Sequence, residues 1–347
     1  MVDQTADTAA TRWSEAEAKA KYKAARKAFA ACVVRAETVS RGAANVESET
    51  SQHFWASVLF TRLVVTAKTI QMLSPELHLD AHWDFSAVAS ITRNLAECYL
   101  FFYFLCIDNV SLDEKNARII LLNLHDNASR KKLFDETRVQ EDDAETVALK
   151  AAVHDNLVRK FNANAYLSSL PKKQKRELIK GEKTPFIQDE VIERTTIDKG
   201  NFRFLYRFFS QHTHSGPVAF YRMAEHGRGR GFQSHLDTVY MVLALEFARD
   251  LIERATVEML SLFPNAETRG GAFMRIISTV KAASKKRQTV GKDAERPPRS
   301  LDSGNGSLPY FLHETRHSAP GPSQALSREG TNVLDGSFYR DQSCRIT

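Results

Sequence analysis

Long stretches of this chain contain nothing that would stop a helix. Only 10 prolines and 15 glycines occur in 347 residues, and several of each fall in the last 57. Proline interrupts a helix by removing an N–H and clashing with the preceding turn, and glycine by its backbone freedom. Their scarcity elsewhere favours long helices. No run shows the apolar–polar alternation of a half-buried strand. The expected fold class is all-α: a single bundle of about seven to eight helices with a disordered C-terminal tail.

Capping residues set the expected helix limits. Ser14 and Glu17 have the spacing of a capping box ahead of EAEAKAKYKAARKAFAACVVRAE, a helix from 15 to about 38. A second helix covers about 47–73 and stops at Ser74-Pro75, because the residue before proline avoids the α region. Asp84 caps FSAVASITRNLAECYLFFYFLCI, read as one helix to 107. Ser111 and Glu114 form another capping box for a helix to about 138, and a further helix spans about 142–168. Residues 169–198 are basic and broken, with two short surface helices expected. Then come a helix over about 199–214, a long one capped by Ser234, and a final short one over 272–284. The expected organisation is disordered residues 1–10, an N-terminal helix within 11–45, a bundle over 46–285 and a disordered tail over 286–347. In that tail PPRS, SGNGS and APGPS leave too little apolar surface to offset chain entropy.

The most apolar run, LAECYLFFYFLCI, has 13 residues and contains Glu97. A bilayer span needs about 20 apolar residues, so a buried core helix and no membrane association are expected. The polar start MVDQTADTAATRW does not resemble a secretory signal. Cys32, Cys98, Cys106 and Cys344 lack zinc-type spacing, so reduced thiols in a cytoplasmic protein are expected, with neither disulfide nor metal nor cofactor. The net charge of +6 lies largely at the end. Residues 281–300 hold seven Lys/Arg against two Asp/Glu, and residues 1–280 are left with only +2.

Two segments concentrate chemistry. Arg93 and Glu97 are four apart on a largely apolar helix and share a face. They form either an intrahelical salt bridge that organises the bundle or part of a central polar pocket. The segment YRFFSQHTHSGP (206–217) places Tyr206, Ser210 and His214 in an i, i+4, i+8 row. Arg207 and His214 lie about 20° apart around the helix, and His212 about 140° from Arg207. In the last turn unpaired carbonyls favour a protonated imidazole, which suits a general acid as well as it suits a cap. His212-x-His214 is not the i, i+4 spacing of a helical metal pair. HGRGRG (226–231) lacks the preceding strand that phosphate-binding glycine motifs require.

ASITRNLAECYLFFYFL (89–105), ARIILLNLHDNASRKKLF (117–134) and FLYRFFSQHTHSGP (204–217) together resemble a bacterial all-helical family of unknown function. Its outline is an Arg-x-x-x-Glu helix, a Lys/Arg-ended helix and a Tyr-x-x-x-Ser-x-x-x-His segment. Here these fall on Arg93 and Glu97, on the Arg130–Lys132 region, and on Tyr206, Ser210 and His214. The resemblance covers roughly 50–265 and implies a fold without an activity. A looser similarity is to HEPN-type helical ribonucleases, whose Arg is followed after four to six residues by His, as Arg207 is by His212 and His214. Phe208 stands where those motifs carry a polar residue.

Two functions follow as expectations. One is a binding or interaction module with a buried network of Arg93, Glu97, Tyr206, Ser210 and His214. The other is a metal-independent ribonuclease of a defence or toxin system, a homodimer with Arg207 and His212 or His214 as catalytic residues. RNA or a protein is the expected partner.

Overall fold

The computed structural model describes residues 13–275 and 279, apart from 45, 79, 138–143, 215, 218 and 222–228. The stretches expected to be disordered, 1–10 and 286–347, lie outside the described residues, as does most of 276–284. Among the described residues every regular element is helical, and the single bridge, Trp83 to Gly231, is isolated.

Ser14 closes its capping box with Glu17 and starts α1 (Glu15–Ala43). Buried positions of α1 run through Ala18, Tyr22, Ala25, Phe29, Cys32, Ala36, Val39 and Ala43, alternately four and three residues apart, with Val33 and Gly42 buried beside them. This seam lies chiefly against α10 (His235–Leu262), which is buried on nearly every side and also packs on α2 (Ser51–Leu73) and α3 (Phe85–Phe102). The sequence left open whether α1 extends to a partner; it packs along its length on the bundle. At its end, a Cβ on Gly42 would lie 1.7 Å from the Ala266 carbonyl oxygen, and one on Gly270 would lie 1.8 Å from that of Thr38. Two helical backbones therefore touch there, and only glycine fits.

Among the described helices α2 alone is long and apolar enough to cross a membrane. In the bundle it buries Phe60, Leu63, Val64 and Ile70.

The helix expected to run unbroken to 107 does not. It turns π-helical at Tyr103–Ile107, closed by the Asp108 N–H on the Tyr103 carbonyl at 2.9 Å. Such a turn redirects carbonyls, and side chains from elsewhere take two of them. Arg118 donates to Phe104 and Gln52 to Cys106. Arg118 is 3 % exposed and also binds Asp108 at 2.7 Å and Glu114 at 2.6 Å. The expected box at Ser111 is thus half made. Ser111 accepts the Glu114 N–H, but the Glu114 carboxylate is held by Arg118 and Arg194.

α4 (Leu112–Thr137), α5 (Ala144–Ala163) and α6 (Ala165–Ser169) share a smaller core of Ala117, Leu121, Leu124, Leu157, Phe161 and Leu167. The expected helix over 142–168 breaks at Asn164, whose side chain caps α6 by accepting the Leu167 N–H. Two short helices follow within 169–198, α7 (Lys172–Leu178) and α8 (Gln188–Glu193). They lead to α9 (Lys199–Thr213), which packs on α3.

Candidate functional site

Asp84 caps α3 by accepting the Ala87 N–H at 2.9 Å, and Asp198 caps α9 by accepting from Asn201 at 2.6 Å. With these starts fixed, the 3.6-residue period aims Arg93 and Glu97 on one helix at Tyr206 and Ser210 on the other. α9 buries Phe202, Leu205, Phe209 and His212 on the side facing the core. Its Tyr206–Ser210 edge lies at the margin, where α3 arrives.

The four polar side chains close on one another. Arg93 donates from Nε to Ser210 Oγ at 2.9 Å and from Nη2 to the Tyr206 hydroxyl oxygen at 3.0 Å. The same Nη2 is 2.9 Å from Glu97 Oε1. The Tyr206 hydroxyl donates to Glu97 Oε1 at 2.6 Å, and Ser210 donates to the Tyr206 carbonyl at 2.7 Å. The guanidinium also lies 5.1 Å from the centre of the Tyr206 ring. Side-chain exposure is 22 % for Arg93 and 33 % for Glu97, so the cluster is half-buried and reaches the surface at one edge. Burial, and then the bond to Glu97, push the Tyr206 pKa above its ordinary value. The phenol therefore stays a proton donor, and the cluster is held by hydrogen bonds from charged and neutral donors alike.

The other predicted site residues fall elsewhere. His212 is 4 % exposed, with its ring 4.8 Å from that of Phe85 and 5.2 Å from that of Phe208. It is part of the aromatic core. Arg207 and His214 are both exposed. His214 is the C-cap of α9, its N–H donating to the Ser210 carbonyl at 3.3 Å. Arg130 is 3.9 Å from Asp126 on its own helix. In the described end of HGRGRG, residues 229–231, the Gly229 N–H donates to the Asp237 carboxylate at 3.1 Å, and Gly231 pairs with Trp83. Among the described residues no three His, Cys, Asp or Glu side chains gather as a metal ion would require.

Two polar groups went unread in the sequence. Asp108, Glu114, Arg118 and Arg194 form a mutually paired cluster beneath the π-turn, with Arg194 Nη1 2.8 Å from Asp108. Glu258 on α10 accepts the Tyr99 hydroxyl at 3.0 Å, while its Oε2 is buried without a hydrogen-bond partner among the described residues. Burial raises the Glu258 pKa, against the lowering effects of Tyr99 and Arg254. The Glu114–Arg118 spacing of four was a signal for the first group. For Tyr99 and Glu258, 159 residues apart, no local pattern exists.

A family model described as a family of unknown function (DUF5677) matches residues 53–231, a span that contains α3, α9 and the whole four-residue cluster. Nothing matches among curated proteins or among solved structures.

Proposed function

The chain belongs to that family of unknown function, and we propose that it is a non-catalytic helical interaction module, with Arg93, Glu97, Tyr206 and Ser210 as the clamp that fixes α3 against α9. The observation that carries this reading is the engagement of Arg93 with three side chains at once. A guanidinium that stabilises a developing charge must keep donors for the substrate. Arg93 commits Nε and Nη2 to a carboxylate, a phenol and a hydroxyl of its own chain. A clamp of this kind sets helix register, and register sets the surface that a partner meets. The reading places the protein in a reducing cytoplasm. Its free thiols Cys32 and Cys98 support that, their pKa values pushed up to about 12 chiefly by burial.

A second reading, a metal-independent ribonuclease, is favoured by one observation. Arg207 and His214 are both exposed and lie on one side of α9. Arg207 would stabilise charge on a phosphate while His214 moves the proton of an attacking 2′-hydroxyl. His212 has no place in that scheme, since it is packed between Phe85 and Phe208.

Incubation of the purified protein with mixed RNA in chelator, beside Arg207→Ala, His214→Ala and Arg93→Ala, separates the two. The module predicts no cleavage by any of the four, and a lower melting temperature for Arg93→Ala alone. Cleavage by the parent protein that disappears in Arg207→Ala and His214→Ala, with melting unchanged, would replace it with the ribonuclease.

A further inference from the structure

A strong local excess of positive charge is gathered at one end of the smaller helical cluster, matched among the described residues by α1, where residues 18–36 hold six Lys/Arg and no Asp/Glu. Residues 159–183 hold eight Lys/Arg against two Asp/Glu, whereas the rest of residues 1–280 hold 29 against 33. A slightly acidic body thus carries a local +6 that its near-neutral total conceals. Here the end of α5 meets α7. Phe161, Asn162, Lys172, Lys175, Arg176 and Ile179 line one cleft of about 490 Å³. The segment is held from beneath, with His125 Nδ1 2.8 Å from the Gly181 carbonyl oxygen. Gly181 has φ +67° and lies so near the Leu124 carbonyl that a Cβ would come within 2.2 Å of its oxygen.

Three observations identify what such a face would hold. Of its eight cations only Lys183 is ion-paired among the described residues, with Glu177 at 2.6 Å. Lys175 is half-buried and donates to the Ser168 carbonyl at 2.9 Å, and the others are exposed. Second, Lys172 and Lys173 stand in the first turn of α7, the end at which the helix dipole disfavours cations, so helix stability does not account for them. Third, no exposed large apolar side chain lies between Leu149 and Ile187, so the face has nothing to insert among acyl chains.

We infer that this face docks the phosphate backbone of a nucleic acid, without reading its bases. Lysines and arginines that neutralise phosphates release condensed counterions, which drives binding and makes it steeply dependent on salt. The inference stands apart from the clamp and from any cleavage at Arg207, and it shares no residue with either.

The test is fluorescence anisotropy of the full chain with a labelled single-stranded RNA of about 30 nucleotides, titrated between about 50 and 200 mM salt. K172E/K173E/R176E is compared with K285E/K286E/R287E, which reverses the same number of charges in the C-terminal basic stretch. The first variant is expected to lose at least about tenfold in affinity. Its log–log salt slope should fall by about 2, at about 0.7 per single-strand phosphate contact, with melting unchanged. Equal binding by that variant and the parent, or loss confined to the second variant, would overturn the inference. So would capture by phosphatidylserine vesicles without binding to RNA.

Discussion

Arg93 and Glu258 are both half-buried charged residues, and their surroundings treat them in opposite ways. Arg93 meets a carboxylate and two hydroxyls. Its i, i+4 ion pair alone would contribute about 0.3–0.5 kcal/mol. Its bonds to Tyr206 and Ser210 reach across helices and are charge-assisted, a kind worth about 1.5–3 kcal/mol each. With a fifth of the side chain in water the lower figure applies to each, so Arg93→Ala should cost about 3 kcal/mol. Glu258 has one partner, Tyr99, and one buried oxygen without any among the described residues. Because burial raises its pKa above the ordinary 4.5, ionising Glu258 costs more in the folded chain than in the unfolded one. The protonated carboxyl is the form that suits the fold. Stability is therefore greatest below pH 4.5 as far as this group is concerned, and is lost as pH rises through the folded value. Glu258→Gln keeps an acceptor for Tyr99 and removes the titration. It should melt above the parent protein at pH 8, with the gap closing as pH falls toward 4.5; thermal melts across that range would show a constant gap if Glu258 were unperturbed.

At the scale of helices, much of the architecture was legible because caps and apolar spacing are local. Ser14 with Glu17, Asp84 and Ser234 begin helices where the sequence places them. Arg93, Glu97, Tyr206 and Ser210 were legible as two rows, since a spacing of four shares a face whatever the tertiary fold. That the rows meet was not, because nothing local sets the approach of α3 to α9. The π-turn at 103–107 was illegible for the same reason. Its redirected carbonyls depend on Arg118, on the following helix, and on Gln52, 54 residues before the Cys106 carbonyl it meets. The surroundings of His212 were not legible, because its position in the last turn says nothing of Phe85, which packs against it from another helix. The contact of α1 with residues 266–275 leads to a prediction at this scale. Gly42→Ala puts a methyl group where the Ala266 carbonyl already lies, and the helices must separate. Overpacking of this kind costs about 1–3 kcal/mol. Chemical denaturation should show that loss, whereas Gly271→Ala, with nothing within 4 Å of the new Cβ, should leave the midpoint unchanged or higher.

Across the whole molecule, a large aromatic-rich core holds α1, α2, α3, α9 and α10, and a smaller one holds α4, α5 and α6. The polar clamp lies at the margin of the first and the basic face on the second. The sequence marks residues 169–198 as basic, but it does not show that the fold brings Lys172, Lys175 and Arg176 beside the end of α5 in one cleft. In this account the clamp is what makes α3 and α9 a single surface, and its members act together. The most direct test is a double-mutant cycle in stability between Arg93→Met and Tyr206→Phe, measured by urea denaturation. A clamp predicts that the double variant loses less than the sum of the singles, with a coupling of about 1–2 kcal/mol, within the range for residues in one hydrogen-bonded network. Additive losses, within about 0.3 kcal/mol, would mean that the two side chains are neighbours without being partners, and would contradict the account.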